Sequence, residues 1–435
     1  MSLPSHIADL VARSVEVFEA GHKEAAAVIL MRGLREHPNE PLMWKNLGHF
    51  YCELRRFDAA EMAFKRALGL SPKDADATTG LALALENKGQ YDNALMLLSR
   101  ATGYEPGHLN AKWNRSLLNL SLGNWKKGFQ QYEARLEKNK VIYGPRPADM
   151  WTGQDVTGKT LYIINEQGIG DSIMFSRFLP MLLGKTKKVY LSAPQNLTAL
   201  FWEYQLAGVV EFLPIGVPIP KSDYTVFLGS LPYCLGIDKI PHDPQFINRR
   251  VSEFLKVAPE AGGRIDLAPI PDSKPGLKIG ICWTGNPTQD HNDQRSIPFK
   301  LLAGLAGIPN VWLYSLQAPP DNSVIRDEGY EDLVYDLGTE CMARGLVSLG
   351  TAMKQMDLVI TCCTSIAHLA GALDVKTWVL LHETPYWTWG YHDRADNDWY
   401  PSVRSFRRKH TDRGWTQVMN KVEEELINMI KMEIM

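Results

Sequence analysis

Between residues 5 and 138 the chain places small and large apolar residues on a fixed schedule. Trp44, Leu47, Gly48 and Tyr51 are followed by Ala60, Phe64 and Ala67. One interval later Leu81, Ala82, Ala94, Leu98 and Ala101 fill the matching positions. The interval is 34 residues, and Pro38, Pro72 and Pro106 mark it again. Small residues here let two helices approach closely, and the large ones fill the gap between successive pairs. Phe57, Tyr91 and Trp125 each open the second helix of a pair. The first pair is weaker, with Gly21 at its turn, then Ala26, Leu30 and Pro38, as expected of an end repeat with one neighbour. The pattern predicts about four helix pairs, ending near residue 138.

The segment Tyr143-Gly144-Pro145-Arg146-Pro147 breaks the helical pattern and predicts a domain boundary. Strands and helices then alternate. Lys159 to Asn165 reads as a buried strand, Glu166 to Asp171 as a glycine-bearing turn, and Ser172 to Leu183 as a helix. Strand, glycine turn and helix open a doubly wound sheet. Further strands are expected at Lys187–Ser192 and Tyr224–Leu228. A second such unit is expected at Lys278–Trp283, Val311–Leu316 and Leu358–Thr361, with a helix from near Ser365 to Leu373. The predicted division is 1–142 repeat helices, 150–265 a first Rossmann-like half, 275–395 a second, and 396–435 a C-terminal extension and helix. Two such halves leave a cleft that suits a two-substrate enzyme.

With 435 residues the chain exceeds one ordinary core, which agrees with several domains. Hydrophobic residues make up 45% and charged residues 22%, as in ordinary soluble proteins. A net charge of −2 gives nucleic acid as a partner no support. The cysteines Cys52, Cys234, Cys282, Cys341, Cys362 and Cys363 show no CxxC spacing, which fits a reduced, cytoplasmic setting. The N-terminus does not read as a secretion signal, and no apolar run approaches the roughly 20 residues of a membrane span.

Two segments carry candidate chemistry. Gly168-Ile169-Gly170-Asp171 lacks the third glycine of G-x-G-x-x-G, since Ile173 stands there. It reads as a nucleotide-phosphate turn, a methyl-donor turn, an acceptor loop, or a helix N-cap. Asp171 near a helix start is a candidate general base. The second segment, Thr361 to Ala372, sets hydroxyl residues between a strand and a helix. Free N–H groups at that helix start suit a diphosphate, with Thr364 and Ser365 as hydroxyl donors. His368, one turn on, either faces the same ligand or packs beside the sheet. Cys362 and Cys363 read as buried strand-end residues. Asp396-Asn397-Asp398 reads as a solvated loop beyond the last strand, and Arg404, Arg407, Arg408 and Lys409 as a solvated basic face.

Trp44 to Tyr51 carries the tetratricopeptide signature. Further short motifs run in a fixed order: Trp125–Glu133, Glu166–Asp171, Trp283–Asn286, Arg295–Pro298, Ser315–Gln317, Ser365–Ala372 and Trp399–Pro401. Together they resemble bacterial or phage tetratricopeptide proteins with a heptosyltransferase-like glycosyltransferase domain, and more distantly the repeat-bearing O-GlcNAc transferases. The resemblance covers nearly the whole chain. It implies an all-α solenoid followed by an α/β GT-B unit, two Rossmann-like domains with the site between them. It implies an inverting, metal-independent transfer of sugar from a nucleoside-diphosphate sugar to a hydroxyl of a polysaccharide, protein or modified nucleic acid, with no resident cofactor. Asp171 would be the base, with Glu166 beside it. Gln167, Gly168 and Gly170 would form the acceptor loop. Gly285, Asn286, Arg295, Ser296, Gln317, Thr364, Ser365 and His368 would hold the donor. The helix from about Asp412 would pack back on the first half.

The chain departs from that pattern at Cys363, where the resemblance implies an acidic residue. It departs again at Cys341-Met342-Ala343-Arg344, in place of an acidic–threonine pair. The alternatives are a non-catalytic repeat adaptor on a degenerate transferase fold, and a methyltransferase or dehydrogenase using the Gly168–Gly170 turn. The repeats are expected to bind a protein or polymer acceptor, or to join copies of the chain.

Overall fold

The computed structural model describes residues 5–138, 147, 149–201, 208, 210–214, 216–241, 247, 276–289, 292–391, 395–409, 412 and 414–434. The chain divides into two compact units, Met1–Pro145 and Arg146–Met435. Of the boundary segment 143–147, only Pro147 is among the described residues, and of the link between the halves at 242–275 only Ile247 is.

The first unit is a run of helix pairs. They are α1 (Ser5–Glu19) with α2 (Lys23–Glu36), α3 (Pro41–Glu53) with α4 (Phe57–Leu70), α5 (Ala75–Asn87) with α6 (Tyr91–Tyr104), and α7 (Leu109–Ser121) with α8 (Trp125–Tyr132). A short α9 (Ala134–Lys138) follows. The periodic prolines stand two residues beyond α2, α4 and α6, where a residue without an N–H cannot continue the helix. Each intra-pair turn holds a left-handed residue at the same repeat position: Gly21, Arg55, Gly89 and Gly123. Phe64, fully buried, is gripped on two sides. A Cβ added at Gly48 would lie 2.8 Å from its ring, and one at Gly80 2.3 Å away. Successive pairs can therefore close on one aromatic only because glycine faces it twice.

The second unit contains two parallel sheets. The first has β1 (Thr160–Ile164), β2 (Lys188–Ser192), β3 (Val210–Leu213) and β4 (Tyr224–Phe227) in the order β3-β2-β1-β4. The second has β5 (Leu277–Cys282), β6 (Val311–Ser315), β7 (Val334–Asp336), β8 (Leu358–Cys362), β9 (Thr377–Leu381) and β10 (Val403–Arg407) in the order β10-β9-β8-β5-β6-β7. In chain order within each sheet this is 3-2-1-4 and a six-stranded order that likewise turns back, so the direction of travel reverses beside β1 and beside β5. Ligands of doubly wound sheets bind at the carboxyl ends of strands flanking that reversal. Ile163 and Ile360 lie in strands buried on both faces, which read as unbroken apolar runs.

Four expectations change. The helix after β1, α10, spans Ile169–Ser176 and is followed by a 3₁₀ turn at Leu179–Leu182. It begins three residues earlier than the expected Ser172, and Gly170 and Asp171 therefore sit on its first turn. The C-terminal helix, with α11 being Ser365–Ala372 and α12 Thr416–Ile434, packs on the second sheet. Its Val418, Val422, Leu426 and Met429 join Leu277, Ile279, Leu358 and Trp378 in the core of the second sheet. Asp396–Asp398 precedes β10, and Asn397 is buried, its Oδ1 accepting from the N–H groups of Trp399 (2.9 Å) and Tyr400 (3.1 Å). The basic cluster is only in part a solvated face, Lys409 being exposed and the three arginines half-buried. Arg404 pairs with Glu425, Arg408 pairs with the buried Glu383 at 2.7 Å, and Arg407 donates to the carbonyls of Trp389 and Gly390.

Candidate active site

The candidate residues gather at the carboxyl ends of β1, β5, β6 and β8. Gly168 precedes α10, and its N–H donates to Asp171 Oδ2 at 3.2 Å, a contact that ties the carboxylate to the helix start. The other oxygen, Oδ1, accepts from the Tyr386 hydroxyl at 3.1 Å; the same hydroxyl lies 3.4 Å from Gln167 Oε1. Gln167 holds a left-handed backbone, φ 63°, which turns its side chain toward Tyr386. Burial pushes the Asp171 carboxyl up to about 6, and nearby Glu166 adds to the rise. The bonds from Gly168 and Tyr386 oppose it. A carboxylate with that value is mostly ionised at neutral pH and is a stronger base than an ordinary aspartate.

Glu166 is placed differently from the expected catalytic partner. It is buried, and its Oε1 accepts from the Gly229 N–H at 3.0 Å, tying the end of β1 to the turn after β4. It thereby clamps the reversal point of the first sheet.

On the second sheet, Thr364 caps α11. Its Oγ1 accepts from the Ile366 N–H at 3.3 Å. Arg295 lies under this turn. Its Nη1 donates to the Cys363 carbonyl (3.3 Å) and its Nε to Asn292 Oδ1 (2.8 Å). A Cβ on Gly285 would fall 2.3 Å from Arg295 Nη2 and 3.1 Å from Thr364 Cγ2. Glycine at 285 is thus what lets the turn after β5 lie on the guanidinium. Asn286 spends its Oδ1 on the Thr288 N–H and hydroxyl, shaping that turn. Ser296 Oγ pairs with Thr284 Oγ1 at 2.7 Å. Gln317 is buried, and its Oε1 accepts from the N–H groups of Trp283 (3.2 Å) and Thr284 (3.1 Å). Its carboxamide oxygen thus holds the β5 turn in place.

His368 packs between the rings of Tyr400 and Trp389. It is buried, with Nδ1 2.9 Å from the Tyr400 hydroxyl and its ring 5.0 Å from that of Trp389. Burial, with Arg177 adding to it, pushes its imidazole down to about 3, so the ring is neutral. A Cβ on Gly170 would meet His368 Cδ2 at 2.8 Å and Ser365 Cα at 3.4 Å. This glycine brings the first turn of α10 onto α11, and Asp171 is its neighbour.

Three residues at this junction escaped the sequence reading. Tyr386 binds Asp171 from the loop after β9. Arg177 is buried, donates to the Trp399 carbonyl at 2.7 Å and the Pro241 carbonyl at 3.1 Å, and stacks 4.8 Å from both Trp399 and Tyr400. Asn292 orients Arg295. The aromatic density of Tyr386-Trp387-Thr388-Trp389 was the one available signal. A cavity of about 240 Å³ between β10 and α12, lined among others by Arg404, Arg407 and Glu425, shares no residue with this site. Among the described residues no cluster of His, Cys, Asp and Glu could hold a metal ion, and no helix is long and apolar enough to cross a membrane.

Two tetratricopeptide-repeat family models match the chain, over residues 15–75 and 52–117. The helical unit is therefore a tetratricopeptide solenoid, followed by an α/β unit with parallel sheets. The chain is similar to protein FlbA of Caulobacter vibrioides, 25% identical over 415 residues, or 89% of this chain and 67% of that protein. That stretch is longer than the helical unit and so reaches into the α/β unit. It is also similar to the tetratricopeptide repeat-containing protein trd-1 of Caenorhabditis elegans, 29% identical over 28% of this chain and 15% of that protein. A solved tetratricopeptide protein of Thermus thermophilus is 21% identical over 30% of this chain and 72% of its own, with a TM-score of 0.28.

Proposed function

We propose that the α/β unit is an inverting, metal-independent glycosyltransferase of GT-B type. It would transfer sugar from a nucleoside diphosphate to a hydroxyl of a protein or polymer acceptor recruited by the repeats. One observation carries the reading: Gly170 fits against Ser365, so a basic carboxylate and the start of α11 lie at one junction between the two sheets. In the proposed step the acceptor oxygen forms a bond to the anomeric carbon as its proton passes to Asp171. The bond from that carbon to the diphosphate oxygen breaks, and the leaving charge falls to the Ser365 N–H, the Thr364 and Ser365 hydroxyls and Arg295. Tyr386 and Gly168 hold the Asp171 carboxylate in position. Binding would be screened by thermal shift with ADP, UDP, GDP, CMP and dTDP, and the matching sugar donor used for turnover. Asp171→Asn should bind the same nucleotide and lose transfer by about 10²-fold or more. Full transfer by this variant refutes the mechanism, and wild type that binds none of the nucleotides by calorimetry supports a non-catalytic adaptor.

A further inference from the structure

The second helix of each of the first three pairs carries one pattern. Glu24, Val28 and Arg32 on α2 are matched by Asp58, Met62 and Arg66 on α4, and by Asp92, Met96 and Arg100 on α6, all exposed. Residues four apart lie on one helix face. Across the three helices they form an acidic row, an apolar row and a basic row. Val28, Met62 and Met96 are 41%, 71% and 53% exposed, and they are three of the four large hydrophobics exposed among the described residues of this unit, Met31 being the other. The helix dipole favours an acid in the first turn. It accounts neither for an exposed apolar row nor for arginines that stand before the last turn. The arginines are not spent on carboxylates: Arg66 donates to Asn39 Oδ1 at 3.2 Å and Arg100 to the Tyr104 hydroxyl at 2.9 Å. In the acidic row Asp58 is paired with Lys88 at 2.6 Å.

A second observation falls on the same face. Gly69 and Gly103 follow Arg66 and Arg100 by three residues, in the last turns of α4 and α6. A side chain at either would meet nothing within the chain. Glycine is a poor helix former, and internal packing does not call for it here; it leaves room for a close approach from outside. The fourth pair breaks the pattern with Lys126, Gln130 and Ala134, which confines the face to three pairs.

We propose that this face docks a second copy of the chain, with facing helices antiparallel about a two-fold axis running along the stack of pairs. The operation sets each helix over its own counterpart. It lays the acidic row of one copy over the basic row of the other and joins the two apolar rows between them. The other in-plane axis, parallel to the helices, would put acid over acid and base over base. Charge thus selects one isologous arrangement. Three helices spaced by about 10 Å, each contributing three rows, bury roughly 600 Å² per copy, the low end for a specific interface. The association is weak, reversible and salt-sensitive.

Sedimentation equilibrium of the full chain across a concentration series tests this, and it reads mass alone, independently of any transferase activity. A monomer–dimer equilibrium is expected, weakening with salt. Arg66→Asp should weaken it by about tenfold, because two symmetry-related contacts turn repulsive. Adding Asp58→Arg should return it to within about threefold of wild type, since the exchanged charges again oppose each other. Met62→Ser should weaken it at any salt concentration. Circular dichroism would verify that each variant keeps its helices. A monomer at every concentration, a dimer indifferent to Arg66→Asp, or a double variant no tighter than the single one overturns the proposal.

Discussion

Asp171 and His368 respond to burial in opposite senses. Burial lifts the carboxyl to about 6 and drops the imidazole to about 3, because in each case the charged form is penalised. For Asp171 the folded state holds a proton the unfolded state lacks between pH ~4 and 6, so its contribution to stability grows as pH falls through that window. For His368 the unfolded state holds the extra proton below about pH 6.5, so its contribution is lost as pH falls. The two slopes oppose each other between pH ~4 and 6. Asp171→Asn should therefore unmask acid sensitivity of up to about 1.4 kcal/mol per pH unit between pH ~4 and 6, read from urea melts at several pH values. A melt series with the same pH slope as wild type would count against a neutral His368. In the wild type, transfer should rise with pH and level off above about 6 as Asp171 ionises. Gly285→Ala addresses the donor side without touching Asp171. Its methyl would displace the Arg295 guanidinium, and nucleotide-diphosphate affinity should fall by about tenfold in calorimetry.

Among the elements, close helix approaches decide both units. Phe64 is held between Gly48 and Gly80, so Gly80→Ala forces the ring to move in a fully packed space. The expected cost is about 1–3 kcal/mol in the unfolding of the repeat unit, and Phe64→Ala, which opens a cavity instead, should cost about 3–5 kcal/mol. An unchanged melt for Gly80→Ala would mean that the pairs can slide apart without penalty. In the α/β unit Gly170 has the same role between α10 and α11. There the approach also sets the position of Asp171, so a packing residue determines where the chemistry lies.

On the scale of the whole molecule, the repeats and the α/β unit are separate compact bodies. If the repeats recruit the acceptor, the α/β unit made alone should keep its nucleotide thermal shift and lose acceptor use. Equal loss of both would assign the repeats to folding. The α12 helix belongs to the second sheet, with Val422 and Leu426 fully buried in its core. Truncating it should unfold that sheet rather than loosen a domain contact.

The sequence by itself determined the repeats, because a 34-residue period of small and large residues is a local record of packing between neighbours. It also determined most central strands, whose two-sided burial writes itself as unbroken apolar runs. The shorter β3 and β7 and the strands β9 and β10 were not named from the sequence, their alternation being weak or interrupted by turns. It marked Asp171 and Thr364 by type and spacing, and Gly285 and Arg295 only through the resemblance to a glycosyltransferase family. Only the tertiary structure decided which of these work as neighbours. Tyr386 reaches Asp171 from 215 residues away, and no local pattern encodes that. Glu166 and Gln317 look like site residues in sequence, but fold contacts with Gly229, Trp283 and Thr284 engage their oxygens. Side-chain type is a local property; whether a polar atom faces a ligand or a backbone N–H depends on which distant strand ends meet.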